Sequence, residues 1–260
     1  QKSLSHMDRC LTCRSCETTC PSGVEYGQLL EIGREMMESK RGRLQSLYRY
    51  IVRKTLSTPL LFRPAGYFLR HSKINSKAIK PKIINSSVLL MGGCVQPSLA
   101  PNINHSIKNI LAKLNIEVLE SSQGECCGAL DQHLAASSDA LKKVKRNIDN
   151  WISKLDSGVE AIISSASGCG VMIKDYPNLF EESDPYYEKS LLISSKTKDI
   201  AEFLVNQDLS SLKLKELNIA YHEPCTMQHG QKLGGLVESI LSEFGYNKKQ
   251  IKDSHICCGS

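Results

Sequence analysis

Several features that many enzymes carry are missing from this sequence of 260 residues. It contains no run of 18 or more apolar residues, and its longest candidate for a buried run, Ser87 to Met91, has the length of a strand. The sequence therefore predicts no membrane-spanning helix. No G-x-G-x-x-G fingerprint follows a predicted strand, and no Ser-His-Asp or paired-carboxylate arrangement stands out. We expect substrate oxidation to take place on another polypeptide.

Acidic residues are almost absent between Arg34 and Lys82. This stretch contains only two acids, Glu35 and Glu38, so the net charge of +6 is concentrated there. Apolar and aromatic residues interleave with the basic ones at 60–62 and 67–69. That mixture suits a membrane surface or an acidic partner, and it equally suits a solvated helix face packed on the rest of the protein. No nucleic-acid-binding motif accompanies the charge, and we expect no nucleic-acid partner.

Cysteine, in contrast, is abundant, with 11 residues. A disulfide framework is typical of small secreted domains, but this chain is long enough to build cores without covalent links and shows no secretory signal peptide at its start. The sequence therefore predicts metal binding in a reducing, cytoplasmic compartment. The absence of Met at position 1 and the break inside a Cys-Cys-Gly motif at the end lead us to expect a fragment lacking both termini.

The first cysteine motif lies near the start of the chain. Cys10, Cys13, Cys16 and Cys20, followed by Pro21, have the C-x2-C-x2-C-x3-C-P spacing of bacterial ferredoxins. Zinc ribbons use two C-x2-C pairs separated by roughly 12 to 20 residues. A thioredoxin-like role for the central C-x2-C pair would leave the outer two cysteines without a function. The spacing favours a [4Fe-4S] cluster.

The four cysteines of this motif are expected to serve two clusters. In two-cluster ferredoxins the cysteine before the proline ligates the neighbouring cluster. We therefore assign Cys10, Cys13 and Cys16 to the local cluster and Cys20 to a second one. The fourth ligand of the local cluster would come from a similar run upstream of Gln1, which gives two [4Fe-4S] clusters in the full-length protein.

Periodicity and proline positions divide the chain into four parts. Apolar residues recur every three or four positions from Glu25 to Arg53, which predicts one or two amphipathic helices. Pro59, Pro64 and Pro81 predict an irregular linker after Ser57. The expected parts are a ferredoxin-like segment with a helical extension at 1–57, a basic linker at 58–85, a first cysteine-rich unit at 86–200 and a truncated second unit at 201–260.

The two cysteine-rich units are internal repeats. Strand-like and helix-like segments alternate from Val88 to Ser164, and the same order begins again at Leu217. Cys94 precedes Cys126 by 32 positions and Cys225 precedes Cys257 by 32, each second cysteine opening a Cys-Cys-Gly motif. The apolar stripes of the intervening helices match at a constant offset. The predicted fold is α+β overall, with an α-helical ferredoxin-like segment followed by two α/β repeats.

Vicinal cysteines beside a turn glycine seldom bond to each other, because the resulting ring is strained, and they favour ligation to a cluster. In the first repeat a further thiol follows the strand that ends at Ser164, where α/β folds gather functional loops. The candidate ligands of both repeats are Cys94, Cys126, Cys127, Cys169, Cys225, Cys257 and Cys258. A zinc-stiffened docking module remains an alternative for these repeats.

The chain resembles the iron–sulfur subunits of glycolate oxidase, also called glycolate dehydrogenase. The resemblance rests on the motif around Cys10 to Cys20 and continues through 93–97, 124–129, 147–151, 166–170, 222–226, 228–232 and 253–260. The Cys-Cys-Gly motifs are also similar to those of heterodisulfide reductase and of lactate-utilisation and anaerobic glycerol-3-phosphate dehydrogenase subunits. Ala166 stands where related domains carry a cysteine, which leaves the cluster type of the repeats open.

This resemblance implies an electron-transfer role. FAD-containing partner subunits would oxidise glycolate to glyoxylate, and this subunit would pass the electrons to a membrane acceptor such as a quinone, from the cytoplasm or from a peripheral position on the inner face of the membrane. Another 2-hydroxy acid such as lactate remains an alternative substrate of the assembly. A relative of the heterodisulfide reductases would instead bind a thiol or disulfide at the cluster.

Overall fold

The computed structural model describes residues 2–69, 74, 77–121, 126–212, 217–254 and 256. Its N-terminal part is helical. The helices are α1 (Lys2–Asp8), α2 (Ser15–Thr19), α3 (Tyr26–Glu38), α4 (Arg43–Ser57) and α5 (Pro59–Phe68). The expectation of amphipathic helices between 25 and 53 is confirmed by α3 and α4. Within the described residues, no helix is both long enough and apolar enough to cross a membrane.

Helix α5 corrects the prediction that irregular structure begins after Ser57. Proline inside a helix usually breaks it, but Pro59 occupies the first helical position, where its missing N–H costs nothing. Pro64 lies inside the helix, and packing compensates for the hydrogen bond it removes. The Phe62 side chain is buried, and Gly66 lies so close to Ser98 that a Cβ atom would come within 2.5 Å of the serine Cβ.

A four-stranded parallel sheet forms the centre of the chain, with strand order β2-β1-β3-β4. The strands are β1 (Ser86–Leu90), β2 (Ile116–Glu120), β3 (Ala161–Ser164) and β4 (Thr197–Asp199). The intervening helices are α6 (Gln96–Leu99), α7 (Pro101–Lys113), α8 (Ala129–His133), α9 (Ser137–Asp156), α10 (Ser167–Lys174), α11 (Tyr187–Lys196) and α12 (Ile200–Leu204), with a 3-10 helix at Tyr176–Leu179. The predicted alternation of strands and helices is confirmed.

Apolar side chains cover both faces of this sheet, as expected for parallel strands with helices on each side. Leu89 and Ile162 face the core that contains Ile148 and Trp151 of α9. The neighbouring positions of the same strands, Val88, Leu90, Ala161 and Ile163, face the opposite core with Ile107 and Leu111 of α7. The alternation of side chains along each strand therefore builds two cores on one sheet.

The beginning of a second repeat follows. Strand β5 (Asn218–Ile219) pairs in parallel with β6 (Asn247–Lys248), and α13 (Leu236–Glu243) lies between them. This reproduces the order of β1, α7 and β2, so the predicted repetition of elements is confirmed. A π-helical turn at Thr226–Gly230 precedes α13. A third small core that includes Met227 and Ile240 joins this unit to Ala201 of α12. The division of the chain into domains stays a prediction.

Buried ion pairs attach α4 to the sheet domain. The Arg53 guanidinium donates to Asp131 of α8 and to Asp139 of α9, both at 2.6 Å. Asp131 is fully buried and also binds Lys143, while Lys54 donates to Asp139 at 2.9 Å. Hydrogen bonds from Lys54 and Arg53 lower the pKa of Asp139 to about 2. Part of the basic segment is therefore neutralised inside the protein rather than solvated.

The Arg53 network gives a stability prediction. The Arg53→Met substitution keeps the volume of the side chain but leaves the buried carboxylate of Asp131 with one cation fewer. We expect the free energy of unfolding to fall by about 3 kcal/mol, measured by urea denaturation. The matched control, Arg63→Met on the exposed surface of α5, should change it by less than about 0.5 kcal/mol. Equal effects of the two substitutions would contradict the role given to the network.

Candidate functional site

Three parallel strands deliver the cysteines of the first repeat to one edge of the sheet. Cys94 follows β1, Cys126 and Cys127 follow β2, and Cys169 lies in the first turn of α10, after β3. Because the carboxyl ends of parallel strands meet at the same edge, residues distant in sequence become neighbours there. The structure brings all four of these predicted ligands together.

The four thiols lie close enough together to affect one another's ionisation. The proximity of Cys127 and Cys94 lowers the pKa of Cys126. The proximity of Cys126 raises the pKa of Cys94 and of Cys127, and Cys169 also raises that of Cys127. Cys126 and Cys127 are buried, and Cys94 and Cys169 are partly exposed. Four candidate sulfur ligands are thus grouped together, and one of them, Cys126, ionises more readily than an ordinary thiol.

The chemistry of this donor set, four cysteine sulfurs, is that of iron–sulfur ligands. In the described part of the chain, no group of three or more His, Cys, Asp or Glu side chains is arranged to hold one ion. Neighbouring thiols suit a group with several iron atoms, because each thiolate can bind a different iron. Burial in a largely apolar wall also matches the environment in which thiolates hold such clusters.

The glycine of the Cys-Cys-Gly motif is required by the backbone. Gly128 has a φ of 92°, in the left-handed region, and it begins the turn into α8. A Cβ atom there would lie 3.4 Å from Val144 Cγ2 and 3.5 Å from the Ala140 carbonyl oxygen of α9. These are ordinary van der Waals distances, so it is the left-handed turn that requires glycine.

A cavity of about 550 Å³ lies beside the four thiols. Its lining includes Cys94, Cys126, Cys127 and Cys169. It also includes Glu31 of α3 and the two neighbours of Cys13 in the chain, Thr12 and Arg14, but none of the four cysteines of the first motif. The loop of the N-terminal motif and the Cys-Cys-Gly site therefore border one cavity.

Two sets of polar contacts join the N-terminal segment to the sheet domain. Arg14 forms an ion pair with Asp175, the residue that ends α10, and burial raises the pKa of this carboxyl group while Arg14 lowers it. Glu31 of α3 contacts His133 Nδ1 at 3.1 Å and accepts from Gln132 Nε2 at 3.1 Å. Both contacts join the N-terminal segment to elements that carry or follow the predicted ligands.

The first motif forms a compact loop around α2. Thr12 and Arg14, on either side of Cys13, have φ values of 54° and 59°, a left-handed conformation that non-glycine residues adopt at a cost. The buried Arg34 side chain stabilises this loop by donating to the carbonyl oxygens of Met7 at 2.9 Å and Cys10 at 2.8 Å. The strained loop is therefore fixed from α3.

Cys16 and Cys20 have different surroundings. Burial and the nearby charges of Glu17, Cys13 and Cys10 raise the pKa of Cys16. The pKa of Cys20 is lowered by the backbone N–H groups of Val24 and Ser22, and its sulfur lies 3.9 Å from Tyr26 Oη. The division of the four ligands between two clusters stays a prediction.

The ligands of the second repeat are only partly described. Cys225 immediately precedes Thr226, whose Oγ1 lies 2.7 Å from Ser167 Oγ and which lines the cavity. His229 Nδ1 lies 2.8 Å from Thr18 Oγ1 and connects this turn to α2. Cys257 and Cys258 lie outside the described residues. The grouping of the second set of predicted ligands therefore stays a prediction.

Two residues that contact the Cys-Cys-Gly backbone are not among the predicted site residues. Asn147 of α9 and Tyr176 are fully buried, and their side chains donate to the carbonyl oxygens of Cys126 and Cys127. A signal for Asn147 existed, because it is a polar residue one turn from Trp151 on the apolar face of the predicted helix. Tyr176 gave none, since its partner is distant in sequence.

Comparison with known proteins adds to this geometry. A family model described as a cysteine-rich domain matches residues 88–174, the segment that delivers the four thiols. The glycolate oxidase iron–sulfur subunit of Escherichia coli is 38% identical over 100% of this chain and 68% of its own length. The chain belongs to the family of glycolate oxidase iron–sulfur subunits. The resemblance seen in the motifs is therefore confirmed.

Further relatives extend the family. The probable glycolate oxidase iron–sulfur subunit of Bacillus subtilis is 24% identical over 96% of this chain and 66% of its own length. Lactate utilization protein A of Bacillus licheniformis is 25% identical over 64% of this chain and 69% of its own length. The chain thus spans about two thirds of the length of these relatives. No solved structure matches it.

Proposed function

We propose that this chain is the iron–sulfur electron-transfer subunit of a flavin-dependent 2-hydroxy-acid dehydrogenase, with glycolate as the substrate of the assembly. The observation that carries the proposal is the group of four neighbouring thiols, Cys94, Cys126, Cys127 and Cys169, at the carboxyl edge of the sheet. The names of the relatives, which include glycolate oxidase and lactate utilization proteins, support it.

The residues divide into two redox sites. The four thiols at the sheet edge would hold one iron–sulfur cluster, and Cys10, Cys13 and Cys16 would hold a [4Fe-4S] cluster, with Cys20 serving its neighbour. Cys225, Cys257 and Cys258 are the corresponding candidates of the second repeat. A flavin gives up two electrons, whereas an iron–sulfur cluster accepts one at a time, so such clusters can divide the pair.

The protein's own residues keep these sites in a defined arrangement. Arg34 fixes the loop that carries Cys10, and the Arg14–Asp175 ion pair ties the loop around Cys13 to the end of α10, which carries Cys169. Thr12 and Arg14, the neighbours of Cys13, line the same cavity as the four sheet-edge thiols. Electrons would enter from FAD-containing partner subunits, which oxidise glycolate to glyoxylate, and leave to a membrane quinone.

Two cysteine variants test the assignment of the sites. In the full-length protein, purified anaerobically, Cys127→Ser should remove the electron paramagnetic resonance signal of the sheet-edge site, and Cys13→Ser should remove that of the N-terminal site. Each variant is the control for the other, because the two substitutions are chemically identical. Glycolate-dependent reduction of a quinone by the assembled complex should fall at least about 100-fold in both.

Metal analysis of the same preparations can contradict the iron–sulfur assignment. Zinc in near-stoichiometric amount with iron absent from the sheet-edge site would show that the repeats are structural modules. Loss of one and the same signal in both variants would refute the separation of the two sites.

The outer surface of α4 and α5 supports a membrane-associated position. The apolar side chains Leu44, Leu47, Tyr48 and Ile51 face solvent, although they form one stripe of α4. The opposite side of this helix carries Arg49 and Arg53, which bind acids of the protein. This helix therefore presents its apolar side outward, which is the reverse of the usual arrangement in a soluble domain.

The charge of this face supports an anionic bilayer surface as its partner. Leu60, Tyr67 and Phe68 of the adjoining α5 are also exposed, and exposed Lys40, Arg43 and Arg63 accompany the apolar side chains. Residues 39–116 contain no Asp or Glu. Amphipathic helices with apolar and aromatic residues beside uncompensated cations bind the interface of anionic membranes. The acceptor quinone would be reached from there.

Vesicle binding tests this position. The full-length protein should cosediment with phosphatidylglycerol vesicles, bind phosphatidylcholine vesicles weakly and dissociate as salt rises, because salt screens the attraction. The double variant Leu44→Ser/Tyr48→Ser should lose most of the binding. The control Leu191→Ser/Leu192→Ser, on the exposed part of α11, should retain it. Equal binding by the two double variants, or no binding by the parent protein, would overturn the proposal.

A further inference from the structure

A buried pair of side chains holds the backbone of the vicinal cysteines. Asn147 Nδ2 donates to the Cys126 carbonyl oxygen at 3.0 Å, and Tyr176 Oη donates to the Cys127 carbonyl oxygen at 2.9 Å. Asn147 Nδ2 also lies 3.1 Å from Tyr176 Oη, so the two side chains form one connected group. Both are fully buried. Two consecutive carbonyl groups are thereby fixed by donors from outside the Cys-Cys-Gly turn.

The two donors are themselves rigidly placed. Asn147 lies on α9 one turn before Trp151, and the Trp151 ring stacks on the Tyr176 ring with centroids 6.3 Å apart and an angle of 10° between the planes. Trp151 is fully buried as well. A displacement of either donor would therefore disturb the central core, which keeps the hydrogen-bond geometry constant.

The position of Tyr176 in the chain connects the two sides of the thiol group. Tyr176 follows directly on α10, which carries Cys169, whereas its hydroxyl group binds the carbonyl of Cys127 from the loop after β2. Through this bond the placement of one thiol depends on that of the other. Residues that form hydrogen bonds with metal ligands, without binding the metal themselves, commonly tune the properties of a bound metal centre.

We infer that Asn147 and Tyr176 are positioning residues that set the orientation of the Cys126 and Cys127 sulfurs relative to Cys169, and thereby the redox properties of the centre held there. This inference rests on the proposed iron–sulfur site. Asn147 and Tyr176 would act through the backbone of Cys126 and Cys127 rather than as ligands. This role also explains why a polar amide occupies the apolar face of α9.

The Tyr176→Phe substitution in the full-length protein tests this inference. Phenylalanine keeps the ring and its stacking on Trp151 but removes the hydrogen bond to Cys127. We expect the electron paramagnetic resonance signal and midpoint potential of the sheet-edge site to change, and iron release from this site to a chelator to be about tenfold faster. The signal of the N-terminal site should be unaltered. Tyr186→Phe, which removes an exposed hydroxyl bound to Asp149 at 2.9 Å, is the matched control.

The outcomes separate this inference from the proposed function. A parent protein without a cluster signal that depends on Cys127 would refute the proposed site itself. A parent protein with that signal, and a Tyr176→Phe variant whose signal, potential and iron release equal those of Tyr186→Phe, would refute only the positioning role. Asn147→Ala provides a second variant, since it should disturb the same signal through Cys126. Lower thermal stability with unchanged spectra in both variants would show a purely structural role.

Discussion

The parallel pairing of β1 with β2 and β3 is the constraint on which the rest of the structure depends. Val88 is aligned with Val118 on one side and with Ala161 on the other, so the three strands end at the same edge. The segments that follow them carry the four thiols. Three of these, Cys126, Cys127 and Cys169, lie 32, 33 and 75 positions after Cys94 in sequence and yet line the same cavity. An antiparallel pairing would direct some of these loops to the opposite edge.

Buried polar contacts then attach the other parts of the chain to this edge. Arg53 binds Asp131 in the helix that follows the Cys-Cys-Gly turn, and Arg14 binds Asp175 at the end of the helix that carries Cys169. Removing either cation would leave a carboxylate partly desolvated, so these ties are costly to break. Arg14 thereby holds the loop of the first motif near the sheet edge, and Arg14 and Thr12 line the cavity that the four thiols also line.

Most elements could be predicted from the sequence, because strand-length apolar runs and helical periodicity are local signals, and the cysteine spacing marked the thiols that line the cavity. The interactions between elements could not. Pro64 indicated a break, but the close contact of Gly66 with Ser98 depends on tertiary packing. The periodicity of α4 predicted an amphipathic helix but not its orientation, in which Asp131 and Asp139 bind the basic side. The positioning role inferred for Tyr176 depends on its hydrogen bond to Cys127, a residue distant in sequence that becomes its neighbour only in the folded chain.

We propose that the N-terminal and sheet-edge sites are adjacent in one electron-transfer path. Magnetic coupling between the two reduced centres can be measured in the full-length, anaerobically purified protein. Their electron paramagnetic resonance signals should be mutually broadened, and Cys127→Ser should leave the N-terminal signal present but sharpened. Two signals that are each unaffected by reduction or removal of the other centre would contradict it.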